Sequence, residues 1–155
     1  MAFAVGIGAS ASAESSRSPD ELTQAVVGLN ARFQAAAPAE QARLLPELLR
    51  LAGEREKALA ALVESEPGAV LRLALPRDVR ASLPPAVRAQ IEEEVELEGV
   101  VEVLHEDRAS GSRYLYFLEA AGERYSLHFA GEAPVLVTGT RVRVKGIRIG
   151  HALAL

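Results

Sequence analysis

"VELEGVVEVLHE", residues 95–106, decides how this chain is read. Val95, Leu97, Val101, Val103 and His105 alternate with Glu96, Glu98, Glu102 and Glu106. That period of two puts one set of side chains on each face of a half-buried strand. Nothing upstream has this period, so a boundary is expected near 93–95, between a helical region (18–93) and a β region (94–155).

Downstream, "RYLYFLEA" (113–120) and "ERYSLHFA" (123–130) are short, aromatic and β-prone, and Ala121-Gly122 between them reads as a tight turn. "EDRASGS" (106–112) links them to the first strand, forming a meander. "GEAPVLVTG" crosses over to "TRVRVKGIRIG" (140–150), and "HALAL" (151–155) supplies a short fifth strand after a turn at Gly150. A long first strand containing glycine and a tightly connected last pair predict a five-stranded antiparallel barrel of OB type. Gly99 and Gly146, inside strands, are expected as bulges or bends that let so small a barrel close.

Upstream, Ser18-Pro19-Asp20-Glu21 is a capping box with proline at the first helical position. Leu22, Ala25, Val26, Leu29 and Phe33 follow at helical spacing, and Pro38 closes or restarts the run. From Pro38 to about Ser65 the Leu-rich sequence predicts one helix kinked at Pro46 or two meeting there, making a helical hairpin with the first. Pro67, Pro76, Pro84 and Pro85 leave room only for short helices, near 67–74, 77–82 and 85–92. These cannot bury enough apolar surface alone, so the fold class is α+β, with the helical region packed on the barrel.

Residues 1–17 read as a leader. "MAFAVGIGASASAES" carries an apolar run and Ala11-Ser12-Ala13, a small-x-small pattern, but no basic residue before Arg17. As a signal-peptide remnant it predicts a secreted or periplasmic protein; if it is not a signal, a cytoplasmic one. No run approaches the roughly 20 apolar residues of a spanning helix, so no membrane partner is expected. The chain has no cysteine, which removes thiolate nucleophiles, disulfides and Cys-based zinc sites.

Charge bounds the partners. Seventeen Lys and Arg against 21 Asp and Glu give a net charge of −4. Residues 95–155 carry seven basic groups against eight acidic ones, which argues against a nucleic-acid footprint. Arg141, Arg143 and Lys145 form an outward basic row on the fourth strand, with Arg148 beyond it. In an OB-type barrel the first and fourth strands are neighbours, so this row should meet Glu96, Glu98 and Glu102 and be neutralised in place. Tyr114, Tyr116, Phe117, Tyr125 and Phe129 have the chemistry to stack bases, although aromatics on strands commonly serve packing. Tyr114, Tyr116, Tyr125, Arg141, Arg143 and Lys145 form the candidate ligand or partner surface.

No catalytic, metal or cofactor-binding residue is assigned. His105, His128 and His151 lie on different strands without ligand spacing and would meet only if one barrel rim gathered them. "HEDRA" (105–109) begins like the zinc motif H-E-x-x-H but ends in Ala109. Ser126 and His128 are two apart on one strand, where Cα atoms lie roughly 6.5 Å from each other, so a hydrogen bond would need help from side-chain direction. Glu92-Glu93-Glu94 reads as a solvated charge run at a helix end.

"AVLRLALPRDVRASLP" (69–84), "VELEGVVEVLHED" (95–107) and "YLYFLEAAGERYSLHFAGEAPVLVTGTRVRVKGIRI" (114–149) together resemble the N-terminal non-catalytic region of secreted bacterial gametolysin-like zinc metallopeptidases. The resemblance covers about 38–155 and is most specific in "LHFAGEAPVLVTGTRVRVKG". It implies a pro-domain-like or accessory module whose protein partner is a metallopeptidase catalytic domain, acting by packing, chaperoning or steric restraint. No H-E-x-x-H occurs among these residues, so no zinc ligand is carried over. The second reading is a stand-alone OB-type binding module for an oligosaccharide, a peptide or a single-stranded nucleic acid.

Overall fold

The computed structural model describes residues 17–108 and 111–155; the signal-peptide reading falls on residues outside this range. Among the described residues, five helices, α1 (Pro19–Ala35), α2 (Pro38–Leu62), α3 (Pro67–Leu73), α4 (Arg77–Ser82) and α5 (Pro85–Arg88), precede five strands. These are β1 (Glu93–Arg108), β2 (Gly111–Ala120), β3 (Glu123–His128), β4 (Arg141–Ile149) and β5 (Ala152–Ala154).

The helix starts follow from local chemistry. The Glu21 amide donates to Ser18 Oγ at 3.2 Å and the Ser18 amide donates to Glu21 Oε2 at 2.7 Å, completing the capping box. α1, α2, α3 and α5 each have proline in the first turn, where its missing N–H costs nothing. α2 runs through Pro46 as one helix. The last short helix is a single turn, Pro85–Arg88, rather than the expected 85–92. None of the described helices is long and apolar enough to cross a membrane.

The sheet order is β1-β2-β3-β5-β4, closed because β4 returns to β1. Residues 93–100 of β1 pair with β4 and residues 100–108 with β2, so one long strand serves both edges. The expectation of a purely antiparallel sheet is corrected: β3 and β5 run parallel, Ser126 against Ala152 and His128 against Ala154. The tight turn at Gly150 (φ 57°) reverses β5 against β4, and closure then sets it beside β3 in the same direction. Most of the expected 106–112 link is strand, since the β1–β2 ladder continues to Arg108 against Gly111.

Gly99 and Gly146 are not bulges, for the β1–β4 register passes both without interruption. They are places of close backbone approach. A Cβ on Gly99 would lie 2.3 Å from the Glu119 carbonyl oxygen, and one on Gly146 would lie 2.3 Å from that of Ala154. Only glycine lets the strands coil this tightly.

Val101, Leu118, Ala120, Tyr125, Leu127 and Leu153 fill the barrel. Leu59, Val63 and Val70 of the helical region form a second cluster with Ile147, Ile149 and Ala154 of the barrel wall, so the two regions share a core. β4 explains how. Arg141, Arg143 and Lys145 are exposed, but Ile147 and Ile149, continuing the same alternation, are buried. The outer face changes from wet to dry where the helices begin to cover it.

Candidate binding surface

The basic row is neutralised largely as its spacing predicts. Glu96 is opposite Lys145 and Glu98 opposite Arg143 in the β1–β4 register. Glu98 accepts from Arg141 and Arg143, each at 3.2 Å; Lys145 Nζ lies 3.2 Å from Glu94, and Arg143 Nε 3.6 Å from Glu96. The hydrogen bond and charge of Arg143, then those of Arg141, hold the Glu98 carboxyl below the usual range. Lys145 chiefly does the same for Glu94. Glu102 departs from the expectation: it lies where β1 has already changed partners, and it pairs with Arg124 at 2.6 Å. Arg124 in turn covers the Phe117 ring at 4.1 Å. Arg148 falls out of the row because two residues, Gly146 and Ile147, separate it from Lys145, and it pairs with Glu93 at 2.5 Å.

The three tyrosines part company. Tyr114 is 62% exposed and lies against His105, ring centroids 5.0 Å apart. Tyr116 is half-buried and meets Phe129 edge-on. Tyr125 is withdrawn from the candidate surface: it is 4% exposed in the barrel core, and its hydroxyl donates to Glu123 at 2.5 Å. That hydrogen bond, with burial, raises its pKa. Alternation along β3 turns Tyr125 and Leu127 inward, which an aromatic count alone does not register.

The histidines have separate surroundings. His105, expected on the buried face, is exposed beyond the closed part of the barrel, with its ring 3.6 Å from Asp107. His151 lies by Tyr125, at the opposite end of the β3–β5 pair from His128. Among the described residues no three His, Cys, Asp or Glu side chains are placed to hold a metal. Ser126 Oγ and His128 Nε2 do meet, at 3.0 Å, because side-chain directions shorten the Cα spacing. Burial lowers the His128 pKa.

The Glu92-Glu93-Glu94 run is corrected. Glu92 is buried and grips the fully buried Arg55: Arg55 Nη1 donates to Oε2 and Nη2 to Oε1, the latter at 3.0 Å. Arg55 also donates to Thr23 Oγ1 at 2.9 Å and the Leu73 carbonyl at 2.7 Å, while the Leu75 amide donates to Glu92 at 2.6 Å. This network ties α1, α2 and α3 to the start of β1. Beside it, a cleft of about 880 Å³ separates α4–α5 from the barrel mouth. Arg77, Arg80, Arg88 and Arg148 face Glu56, Glu93, Glu94 and Glu123 there, so its walls select neither sign of charge.

The most exposed apolar side chains gather at the other end of the barrel. In the crossover before β4, Val135 is 98% and Val137 66% exposed, while Leu136 between them packs into the barrel. The crossover is fixed to β1 by Gly139 N–H to the Val101 carbonyl at 2.8 Å and by the Val103 N–H to Thr138 Oγ1 at 2.9 Å. Leu104 and Tyr114 belong to the same end. Val135, Val137 and Leu104 were missed from sequence; the signal was "PVLV", an apolar run inside a connection. No family model matches this chain, and no curated protein or solved structure does either.

Proposed function

We propose that this chain is a non-catalytic binding module, an OB-type barrel braced by helices, whose partner is a protein. The fold reading draws support from the strand order β1-β2-β3-β5-β4, closed through a long shared β1. The observation that carries the function is the grouping of Val135, Val137, Tyr114 and Leu104 at one barrel end, against an outer basic row already occupied by carboxylates. Exposed apolar clusters suit protein surfaces, whereas neutralised arginines contribute little to phosphate binding. The family resemblance names the partner class: the catalytic domain of a secreted gametolysin-like zinc peptidase, which the module packs on, chaperones or sterically restrains.

The test is titration of a purified gametolysin-like peptidase domain with the full chain, followed by sedimentation and casein hydrolysis. A stoichiometric complex that changes the hydrolysis rate and is lost in the Val135→Lys/Val137→Lys variant is expected. No complex at tens of micromolar would overturn the peptidase assignment. Salt-sensitive binding of labelled single-stranded DNA, lost in Arg141→Ala/Arg143→Ala, would instead favour a nucleic-acid module.

A further inference from the structure

The same barrel end has an open strand edge. The β1 residues that bond toward β4 are alternate ones: the Val101 N–H donates to the Thr140 carbonyl, its carbonyl accepts from Gly139, and the Val103 N–H reaches Thr138 Oγ1. By the same alternation the N–H and C=O groups of His105 and Asp107 point outward on that side. No backbone partner reaches them among the described residues, because the crossover leaves β1 at Thr138. On the other side β1 remains laddered to β2 through this stretch, His105 opposite Tyr114 and Asp107 opposite Ser112. The edge is therefore already extended, the condition under which an added strand pays little ordering entropy on the receiving side.

Its side chains specify the guest. Leu104 is 40% exposed on one face of this edge, and Tyr114, 62% exposed, lies on the other. Arg113 is held between Glu106 at 2.8 Å and Glu64 at 3.1 Å and so is not a free cation. Asp107 is mostly exposed; it accepts from Ser112, and the His105 ring lies 3.6 Å from it. The crossover, 131–140, adds Glu132 and no basic residue. With Glu64, Glu106, Asp107 and Glu132 against Arg108 and Arg113, acidic residues outnumber basic ones around the edge.

Resting on the binding-module reading, we propose that this end takes an extended segment of its partner as an extra strand along His105–Asp107, a segment in which apolar and basic residues alternate. Main-chain hydrogen bonds to His105 and Asp107 hold the guest. Its apolar face lies by Leu104, and its cations, on the opposite face, lie by Asp107.

The probe is a fluorescein-labelled nine-residue peptide of alternating valine and lysine, with a valine–glutamate peptide as comparator, read by anisotropy against the full chain. Saturable binding of the lysine peptide, at least about tenfold tighter than the glutamate peptide, is expected. His105→Pro removes the outward N–H along with the imidazole and should weaken binding about tenfold or more, whereas His105→Ala, which keeps the N–H, should weaken it much less; Arg143→Ala, on the occupied row, should not change it. In the unaltered chain, hydrogen exchange at the His105 and Asp107 amides should slow on binding, a readout independent of whether the proline variant folds. Equal binding of both peptides, no binding at all, or unslowed exchange at those amides overturns strand addition. If exchange is unslowed while Val135→Lys/Val137→Lys still abolishes the peptidase complex, the barrel end binds protein by its apolar surface alone. If neither matters, the binding-module reading falls with it.

Discussion

Two sets of ion pairs in this molecule differ in almost everything except chemistry. Arg55 and Glu92 meet in a fully buried site: Thr23 and the Leu73 carbonyl also accept from Arg55, and the Leu75 amide donates to Glu92. Arg141, Arg143 and Lys145 meet Glu94, Glu96 and Glu98 on an open strand face, each basic side chain about two-thirds or more exposed. In the first set, water cannot replace a lost partner; in the second it does so at once. The buried pair therefore fixes how the helices sit on the barrel entrance, while the exposed ladder sets the surface charge and disarms a basic stripe.

The sharpest test of that contrast is Glu92→Gln, which leaves the Arg55 charge buried without its counter-ion. A loss of about 3–5 kcal/mol in chemical denaturation is expected. A loss under about 1 kcal/mol would mean that water reaches the site. The shared core comes next. Ile149→Ala opens space between β4 and the Leu59–Val63–Val70 cluster and should cost about 2–3 kcal/mol. Calorimetry should show one transition moved as a whole; two separated transitions would show that the helices and the barrel melt independently.

Smaller effects are expected from titration. The His128 pKa is lowered in the folded chain, first by burial and then by Arg113, with Glu64 opposing. The unfolded chain therefore binds this proton more readily. Stability should be complete above about pH 6.5 and fall as the pH drops toward the lower folded value. His128→Gln should flatten that slope, measured by denaturation between pH 5 and 7.5. The smallest effect is expected for the ladder. Arg143→Ala should leave the denaturation midpoint within error near neutral pH. What stability Glu98 does contribute should be present above its unfolded pKa, about 4.3, and fade as the pH falls through its depressed folded value. A midpoint shift as large as that of Glu92→Gln would erase the distinction between the two sets.

The parts of the fold legible in the sequence depend on neighbours a few residues apart. The capping box at Ser18–Glu21, the prolines that open helices and the alternation from Val95 onward each state their own geometry. Even the Glu–Arg pairing of β1 with β4 could be read, because it needs only an alternation on each strand and one correct guess at adjacency. The candidate surface was legible in part: the basic row lies outward as expected and Tyr114 is exposed, whereas Tyr125 needed the inward phase of β3.

Tertiary structure decided the rest. Glu92 has the same neighbours as Glu93 and Glu94 in sequence, yet it alone turns into the core, because Arg55, 37 residues away, waits there in a site built by α1, α2 and α3. The parallel β3–β5 contact, the change of the β4 outer face from charged to buried at Ile147, and the open edge at His105–Asp107 likewise depend on which element arrives from a distance. Short-range spacing is encoded by covalent geometry and can be counted along the chain. Burial is a property of what the folded chain brings near, and it is burial that separates the ion pair holding the fold from the ion pairs that merely face water.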